Sequence, residues 1–263
     1  MKTTITSNET RVSTPLGKIY VKRWQTGDSA GAPIVLFHDS LGCVSLWRDF
    51  PELLARATGR EVIAYDRPGF GESDPHPSQL IPRTFVSDEA VTAFAALQKN
   101  LALQRFVVFG HSVGGAMAAI CAATYVDNCE ALITESAQVF AEEQTLQGIR
   151  DAKVSFTEAG QLDRLRRYHG DKAEWVLHAW IDSWLSDEFS DWTIEDILPT
   201  IVCPVLSIHG DKDEFGSLKH PELFTTLPAG KCEKQVLQGF GHVPHREDPQ
   251  RVLDIVTAFL ASV

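Results

Sequence analysis

The stretch Phe106-Val-Val-Phe-Gly-His-Ser-Val-Gly-Gly-Ala-Met117 joins a short apolar run to a series of small residues. A continuous apolar run is typical of a strand that is buried on both faces of a sheet. The pattern G-x-S-x-G follows as Gly110-His-Ser-Val-Gly114, whose glycines permit a sharp turn that leaves the serine hydroxyl clear at the strand end. A helix after this turn would direct its amino terminus at the serine and favour developing negative charge there. The stretch therefore predicts a strand–turn–helix unit with Ser112 as a nucleophile.

Outside this stretch, apolar runs alternate with segments of helical spacing. Further buried strands are predicted at Ile34–Phe37, Val62–Tyr65, Ala131–Thr134, Val205–Ile208 and Cys232–Leu237, and a strand pair at Arg11–Gln25. Helices are predicted at Leu46–Thr58, Phe85–Leu101, Val113–Tyr125 and Pro249–Leu260. Strands that alternate with helices indicate an α/β fold, with a mostly parallel sheet covered by helices on both faces.

The alternation stops between residues 137 and 200, where the pattern is helical throughout. Because a buried strand returns at Val205, we expect residues 1–136 and 201–263 to form one core and residues 137–200 to be a helical cap inserted in it. Val176, Trp180 and Trp184 recur there at helical spacing, which is typical of a buried helix face. The same face would roof a site at Ser112, so Trp180 and Trp184 are candidate pocket residues.

Composition narrows the class of partner. The chain has 263 residues with 24 basic and 35 acidic side chains, and its net charge of −11 argues against a nucleic-acid partner. No apolar run resembles a secretory signal or a membrane span. The five cysteines are scattered without C-x-x-C spacing, as expected of free thiols in the cytosol. We therefore expect a cytoplasmic protein that acts on a small molecule, and a homodimer stays open.

A serine hydroxyl is a weak nucleophile and needs a base. The loop before the last helix offers His242 and, three residues later, His245. The spacing H-x-x-H can suggest a metal site, but no third ligand at a sensible spacing accompanies it, so no metal is expected. The loop after the strand at Val205 offers Asp211 and Asp213 as acids to orient the base. Along the chain the serine comes first, then the acids and then the histidines, each just after a predicted strand. The carboxyl ends of parallel strands meet at one edge of a sheet, so these distant residues can come together there.

Five motifs together resemble the α/β-hydrolases of the small, capped kind. They are His38-Asp-Ser-Leu-Gly42, Tyr65-Asp-Arg-Pro-Gly-Phe-Gly-Glu-Ser73, Gly110-His-Ser-Val-Gly-Gly115, His209-Gly-Asp-Lys-Asp213 and Gly241-His-Val-Pro-His245. The resemblance covers the chain from Arg11 to Leu260. It implies Asp213 as the acid and His242 as the base, with Asp211 as the rival acid or a turn carboxylate. It also implies that the motif beginning at Tyr65 is a structural loop under the site.

The resemblance further implies an oxyanion hole made of two backbone amides. One is that of Val113, the residue after the nucleophile. The other comes from a loop that usually begins His-Gly, with the next residue as donor, and that position is Ser40. Here Asp39 stands where glycine is usual. A charge beside the hole would oppose catalysis unless it were turned away or paired, so we expect the carboxylate turned away, although a position at the pocket mouth stays open.

Glu135 ends the strand before the helical segment and is a further candidate pocket residue, with a hinge or salt-bridge role as the alternative. The expected function is hydrolysis of a small carboxylic ester or lactone through an acyl-enzyme on Ser112, with no cofactor. Two alternatives remain at this point. One is a carbon–carbon bond hydrolase acting on a diketone-like ring-cleavage product, because relatives with that chemistry also show Ser-x-Gly-Gly. The other is a receptor for a small ligand without enzymatic activity.

Overall fold

The computed structural model describes residues 4–27 and 31–263, which contain a mixed sheet of eight strands. The strands are β1 (Ile5–Thr14), β2 (Gly17–Thr26), β3 (Ile34–Phe37), β4 (Val62–Tyr65), β5 (Phe106–His111), β6 (Cys129–Glu135), β7 (Val205–Gly210) and β8 (Cys232–Leu237). Their spatial order is β1-β2-β4-β3-β5-β6-β7-β8. The pairs β1–β2 and β2–β4 are antiparallel, and the other neighbouring pairs are parallel. The predicted α/β fold with a mostly parallel sheet is confirmed.

Helices cover both faces of the sheet, which explains why the central strands are almost entirely apolar. One face packs against α1 (Phe50–Thr58) and the other against α2 (Phe85–Val91), α3 (Ala93–Asn100) and α4 (Val113–Thr124). Along the remainder of the chain, α8 (Lys219–Thr226), the short α9 (Pro244–Glu247) and α10 (Pro249–Leu260) follow β7 and β8. Every residue of β3, β4, β5 and β7 is buried. The sheet therefore forms a rigid base whose carboxyl edge presents the loops.

Two helix predictions were inaccurate in their bounds. The helix predicted from Leu46 begins only at Phe50, after a 3₁₀ turn over Val44–Trp47. The helix predicted over Phe85–Leu101 is interrupted at Thr92, whose backbone leaves the helical region at φ −113° and ψ −90°. The Thr92 hydroxyl donates to the Asp88 carbonyl at 2.6 Å. Such bonds offer the backbone an alternative to the regular helix, and threonine in a helical pattern is a common place for a bend.

The segment between β6 and β7 contains α5 (Glu143–Ser155), α6 (Gln161–His169) and α7 (Ala173–Trp184), followed by 3₁₀ turns at Asp187–Phe189 and Glu195–Thr200. Its aromatic side chains pack on one another, since the Trp184 ring lies 5.0 Å from that of Phe189 and 5.4 Å from that of Trp192. The division into a core and a cap at residues 137 and 200 stays a prediction. Across residues 4–27 and 31–263, no helix has the length and apolar character that crossing a bilayer requires.

Candidate active site

Ser112 lies at the tip of a strained turn between β5 and α4. Its backbone has φ 56° and ψ −130°, a conformation that a residue other than glycine adopts at a cost of about 1–3 kcal/mol. A Cβ atom at Gly110 would collide with the backbone of Gly114, and one at Gly114 would collide with the carbonyl of Phe37. The two glycines are therefore required by close approach of the backbone. The turn holds Ser112 at the carboxyl edge of the sheet, as the motif predicts.

Asp213 and His242 form a buried pair at the same edge. The His242 Nδ1 atom lies 2.8 Å from Asp213 Oδ1 and 2.9 Å from Oδ2. The Asp213 carboxylate also accepts the Phe215 N–H at 2.8 Å, and its side chain is fully buried. The rival acid Asp211 accepts the Gly239 N–H at 2.6 Å instead, which is the turn role considered for it. Of the two candidate acids, the structure places Asp213 beside His242.

The electrostatic setting of this pair favours a basic imidazole. Burial alone would lower the pKa of His242, but the hydrogen bond to Asp213 and the charge of that carboxylate outweigh burial and raise the pKa above its usual value. Burial would raise the pKa of Asp213, whereas the hydrogen bond from His242 and its charge hold it below its usual value. Asp213 is therefore ionised at neutral pH, and its hydrogen bond fixes the proton of His242 on Nδ1, which leaves Nε2 as the basic atom.

The Ser112 hydroxyl has a partner that the sequence did not suggest. It donates to Gln138 Oε1 at 3.4 Å, and no hydrogen bond to His242 forms in the part of the chain that the structure describes. Ser112 and His242 nevertheless line the same cavity. Hydrogen bonds between a nucleophile and its base are often long or absent before substrate binds.

Both predicted oxyanion donors have free amides. Ser40 lies on the cavity wall, in the loop after β3. Val113 is the first residue of α4, where a helix leaves its N–H groups without intrahelical partners. Neither amide donates a hydrogen bond to any residue within 4–27 and 31–263. Both are therefore available to a ligand oxygen, and their role in catalysis stays a prediction.

The cavity has a volume of about 200 Å³ and is formed jointly by the sheet edge and the helical segment. Its walls combine polar residues near Ser112 with apolar residues from α5, α7 and the loops after β7 and β8. The lining residues are Asp39, Ser40, Leu41, Ser112, Gln138, Thr145, Ile149, Trp180, Trp184, Glu214, Phe215, His242 and Val243. The predicted pocket residues Trp180 and Trp184 are among them. Sequence motifs did not predict three of the polar lining residues, Gln138, Thr145 and Glu214.

Asp39 borders the cavity, but its carboxylate oxygens lie against Gly42 and His111, neither of which lines the cavity, and the expectation that the carboxylate is turned away stays a prediction. Its side chain is 27% exposed, and one carboxylate oxygen lies over Gly42, where a Cβ would not fit. The other oxygen is 3.9 Å from His111 Nδ1. Burial lowers the pKa of His111 to about 4, so this histidine is uncharged at neutral pH. The Asp39 charge thus has no cationic partner within 4 Å among the described residues.

Glu135 does not line the cavity, so its prediction as a pocket residue was wrong. Its carboxylate is fully buried under the His242 loop, where it accepts the His245 backbone N–H at 2.8 Å and contacts His245 Nδ1 at 2.5 Å. The salt-bridge alternative describes it correctly. His111 supports the same loop from the other side, because its Nε2 donates to the His242 carbonyl at 2.8 Å. Both residues are structural supports of the loop that carries the base.

A family model described as alpha/beta hydrolase fold matches residues 32–186, more than half of the chain. This chain belongs to the alpha/beta hydrolase fold family. It is 31% identical to the mouse serine hydrolase BPHL over 160 residues, which are 58% of this chain and 53% of that protein. The chain thus spans about half the length of that curated relative.

Solved structures extend the likeness over nearly the whole chain. The proline iminopeptidase of Mycobacterium smegmatis is 22% identical, with a TM-score of 0.73, over 97% of this chain and 98% of that one. The N-acyl homoserine lactonase AidH is 22% identical, with a TM-score of 0.71, over 98% and 97%. At this level of identity the likeness shows the fold, and the bond that is cleaved must be argued from the site.

The helical segment of the chain is anchored to the glycine-rich loop at residues 65–73. Lys172 Nζ donates to the carbonyls of Gly71 and Ser73, both at 2.6 Å. His169 Nδ1 accepts the Gly71 N–H at 2.9 Å, and its Nε2 donates to the Leu41 carbonyl at 3.0 Å. His169 thus links the glycine-rich loop to the loop that carries Ser40, consistent with the structural role expected of the glycine-rich loop.

Proposed function

We propose that the protein is a serine hydrolase that cleaves a small carboxylic ester or lactone through an acyl-enzyme on Ser112. The observation that carries this proposal is that a strained Ser112, the Ser40 loop and His242, which is paired with the buried Asp213, line one cavity. His242 takes the serine proton as Ser112 Oγ attacks the carbonyl carbon. The amides of Ser40 and Val113 receive the oxyanion.

In the remaining steps the acyl-enzyme forms and is then hydrolysed, with His242 acting in turn as acid and as base. Collapse of the tetrahedral intermediate breaks the bond to the leaving oxygen, which takes its proton from His242. A water molecule then gives a proton to His242 and attacks the acyl carbon. The second collapse returns the proton to Ser112 and releases the carboxylic acid. Asp213 keeps the imidazole in the tautomer that can accept at Nε2 throughout.

The size of the cavity limits the substrate. Pockets for drug-sized ligands occupy roughly 300–1,000 Å³. The volume here is about 200 Å³, and the bulky rings of Trp180, Trp184 and Phe215 form part of the wall. These dimensions favour short or compact acyl groups and disfavour long acyl chains.

The charge of the walls limits the substrate further. Asp39 and Glu214 both line the cavity, and among the described residues its lining includes no lysine or arginine. Carboxylates near a reacting centre repel an anionic substrate through a partly desolvated medium. A ring-cleavage product that carries carboxylates is therefore a poor candidate, which weighs against the carbon–carbon hydrolase alternative. The assembled acid–base pair supports an enzyme over a receptor.

A substrate panel tests the proposal. It contains short and long nitrophenyl esters, lactones, aminoacyl nitroanilides and dienone ring-cleavage compounds, each with the wild type, Ser112→Ala and Ser136→Ala. Ser136 is the matched control because it also has a positive φ, of 49°, and its buried hydroxyl has no hydrogen-bond partner in the described chain. We expect short esters or lactones to be hydrolysed by the wild type and Ser136→Ala only. A preference for nitroanilides or dienones, or full ester turnover by Ser112→Ala, would overturn it.

A further inference from the structure

The peptide group that joins Asp39 to Ser40 is held by an unusual number of donors. The Asp39 carbonyl oxygen lies 2.8 Å from His38 Nδ1 and 2.8 Å from Arg67 Nη2, and it accepts the Gly42 N–H at 3.2 Å. A carbonyl oxygen can only accept, so the His38 proton must be on Nδ1. Two side chains and one amide therefore fix this single oxygen.

His38 and Arg67 also hold each other in place. The unprotonated Nε2 of His38 accepts the Arg67 backbone N–H at 3.1 Å and lies 3.4 Å from Arg67 Nε. Burial, with the nearby Arg67 charge, lowers the pKa of His38 well below its usual value. A neutral ring with its proton on Nδ1 is the one form that satisfies all these contacts at once.

Burial of the charged Arg67 side chain at this position is energetically unfavourable. It is 5% exposed, and its guanidinium lies 4.2 Å from the centre of the Phe70 ring. Across residues 4–27 and 31–263 it has no ion-pair partner within 4 Å, although Glu89 acts on its charge at longer range. A buried charge without a direct partner is unfavourable unless hydrogen bonds satisfy it. The side-chain hydrogen bonds of Arg67 go to His38 and to the Asp39 carbonyl.

We propose that Arg67, with His38, is a positioning residue that aims the Ser40 amide into the oxyanion hole. A trans peptide is planar, and its C=O and N–H point in opposite directions. Pinning the Asp39 oxygen to Arg67 and His38 therefore directs the Ser40 N–H the other way, towards the cavity that Ser40 lines. This inference rests on the proposed function, in which that amide receives the oxyanion.

Loss of the hydrogen bonds from Arg67 and His38 to the Asp39 carbonyl should weaken binding of the transition state and leave binding of the ground-state substrate unchanged. A peptide released from Arg67 can rotate, which removes the Ser40 donor and turns the Asp39 carbonyl oxygen towards the developing oxyanion. Removing one oxyanion donor lowers kcat by about 10²-fold or more in other serine hydrolases. The affinity for ligands that form no oxyanion should be unchanged.

The experiment compares Arg67→Met with the control Arg60→Ala. Arg60 is also mostly buried and donates to a backbone carbonyl, that of Ala32 at 2.9 Å, but it does not line the cavity. Each protein is tested with a short nitrophenyl ester, with the matching alkyl trifluoromethyl ketone, which forms a tetrahedral oxyanion on serine, and with the matching nitrophenyl ether, which does not. A merely structural role for Arg67 would weaken both inhibitors alike.

We expect Arg67→Met to lose about 10²-fold in kcat/KM and the same factor in ketone affinity, with ether affinity unchanged. His38→Leu should show the same pattern more weakly, and His38→Asn, which retains a donor, should recover part of the loss. Unchanged ketone affinity in Arg67→Met, or parallel losses for ketone and ether, would overturn the inference. A wild type that neither turns over the ester nor binds the ketone would instead refute the proposed function.

Chemical rescue covers the case in which Arg67→Met folds poorly. A small cavity lined by Arg67, Phe70 and Glu89 gives a soluble guanidinium ion a route to the space vacated in Arg67→Ala. Low, non-denaturing guanidinium should raise the ester activity of Arg67→Ala and leave that of Arg60→Ala unchanged. Equal responses of the two variants would contradict the role of Arg67.

Discussion

The molecule contains two histidine–carboxylate pairs whose histidines belong to the same short loop. His242 Nδ1 lies 2.8 Å from Asp213, and His245 Nδ1 lies 2.5 Å from Glu135. His242 lines the cavity of about 200 Å³ that also contains Ser112. His245 instead borders a void of about 10 Å³, with its ring 4.7 Å from that of Trp47. A histidine–carboxylate pair can thus have a catalytic or a structural role. The role depends on whether the histidine borders a cavity large enough for a substrate.

The largest expected effect comes from breaking the cavity-facing pair. Asp213→Asn should lower kcat for a short ester by about 10⁴-fold, because an amide favours the wrong tautomer of the histidine. The matched variant Asp211→Asn removes the charge but keeps an oxygen that can accept the Gly239 N–H, and it should change kcat by less than about tenfold. Steady-state rates of both purified variants check this. The reverse order would make Asp211 the acid.

Breaking the second pair should affect stability instead. In Glu135→Gln one of the two oxygens that contact His245 becomes an NH2 donor at a fully buried site, which should lower the free energy of unfolding by about 1–3 kcal/mol. Its control is Glu130→Gln on the same strand, where the ion pairs with Arg60 and Arg105 are nearer the surface and a loss below about 1 kcal/mol is expected. Urea unfolding measures both. A loss of activity in folded Glu135→Gln that rivals Asp213→Asn would contradict the structural assignment.

A third difference should appear in proton binding. The pKa of His242 is raised by Asp213, so the free base that catalysis needs is lost as pH falls through a value above the usual ~6.5. In Asp213→Asn burial is opposed only by the smaller effects of the Asp39 and Glu214 charges, so the pKa of His242 should move downwards. NMR titration of the ring protons follows this without relying on activity. His111, held near 4 by burial, should stay neutral in both proteins, and an unchanged His242 pKa would contradict the coupling.

The smallest expected effect concerns the roof of the cavity. Trp180 lines it, whereas Trp175 on the same helix packs on His76 outside it. Trp180→Ala should shift the preference between short and long acyl esters by about tenfold, which corresponds to roughly 1–3 kcal/mol for each change in pocket fit. Trp175→Ala should leave the preference unchanged. Equal preferences in the wild type and both variants would show that the helical segment does not select the substrate.

Features that depend on residues close together in the sequence could be predicted, and features that depend on distant residues could not. The turn at Ser112 depends on glycines within a few residues, and the buried strands depend on local apolar runs, so both could be predicted. The break at Thr92 falls within a continuous helical periodicity, so the apolar pattern does not register it. Glu135 was misassigned because its partner lies 110 residues away. Gln138 and Glu214 reach the cavity from the loops after β6 and β7, where no local pattern distinguishes them from other loop residues.

The most direct test of the account is covalent labelling of the nucleophile. A serine-directed alkyl phosphonate is incubated with the wild type, Ser112→Ala and His242→Ala, and peptide mass mapping locates the adduct. The account predicts one modified residue, Ser112, in the wild type, no adduct in Ser112→Ala and strongly slowed labelling in His242→Ala, because the hydroxyl depends on the base. Labelling of another residue in the wild type, or undiminished labelling of Ser112→Ala, would contradict it.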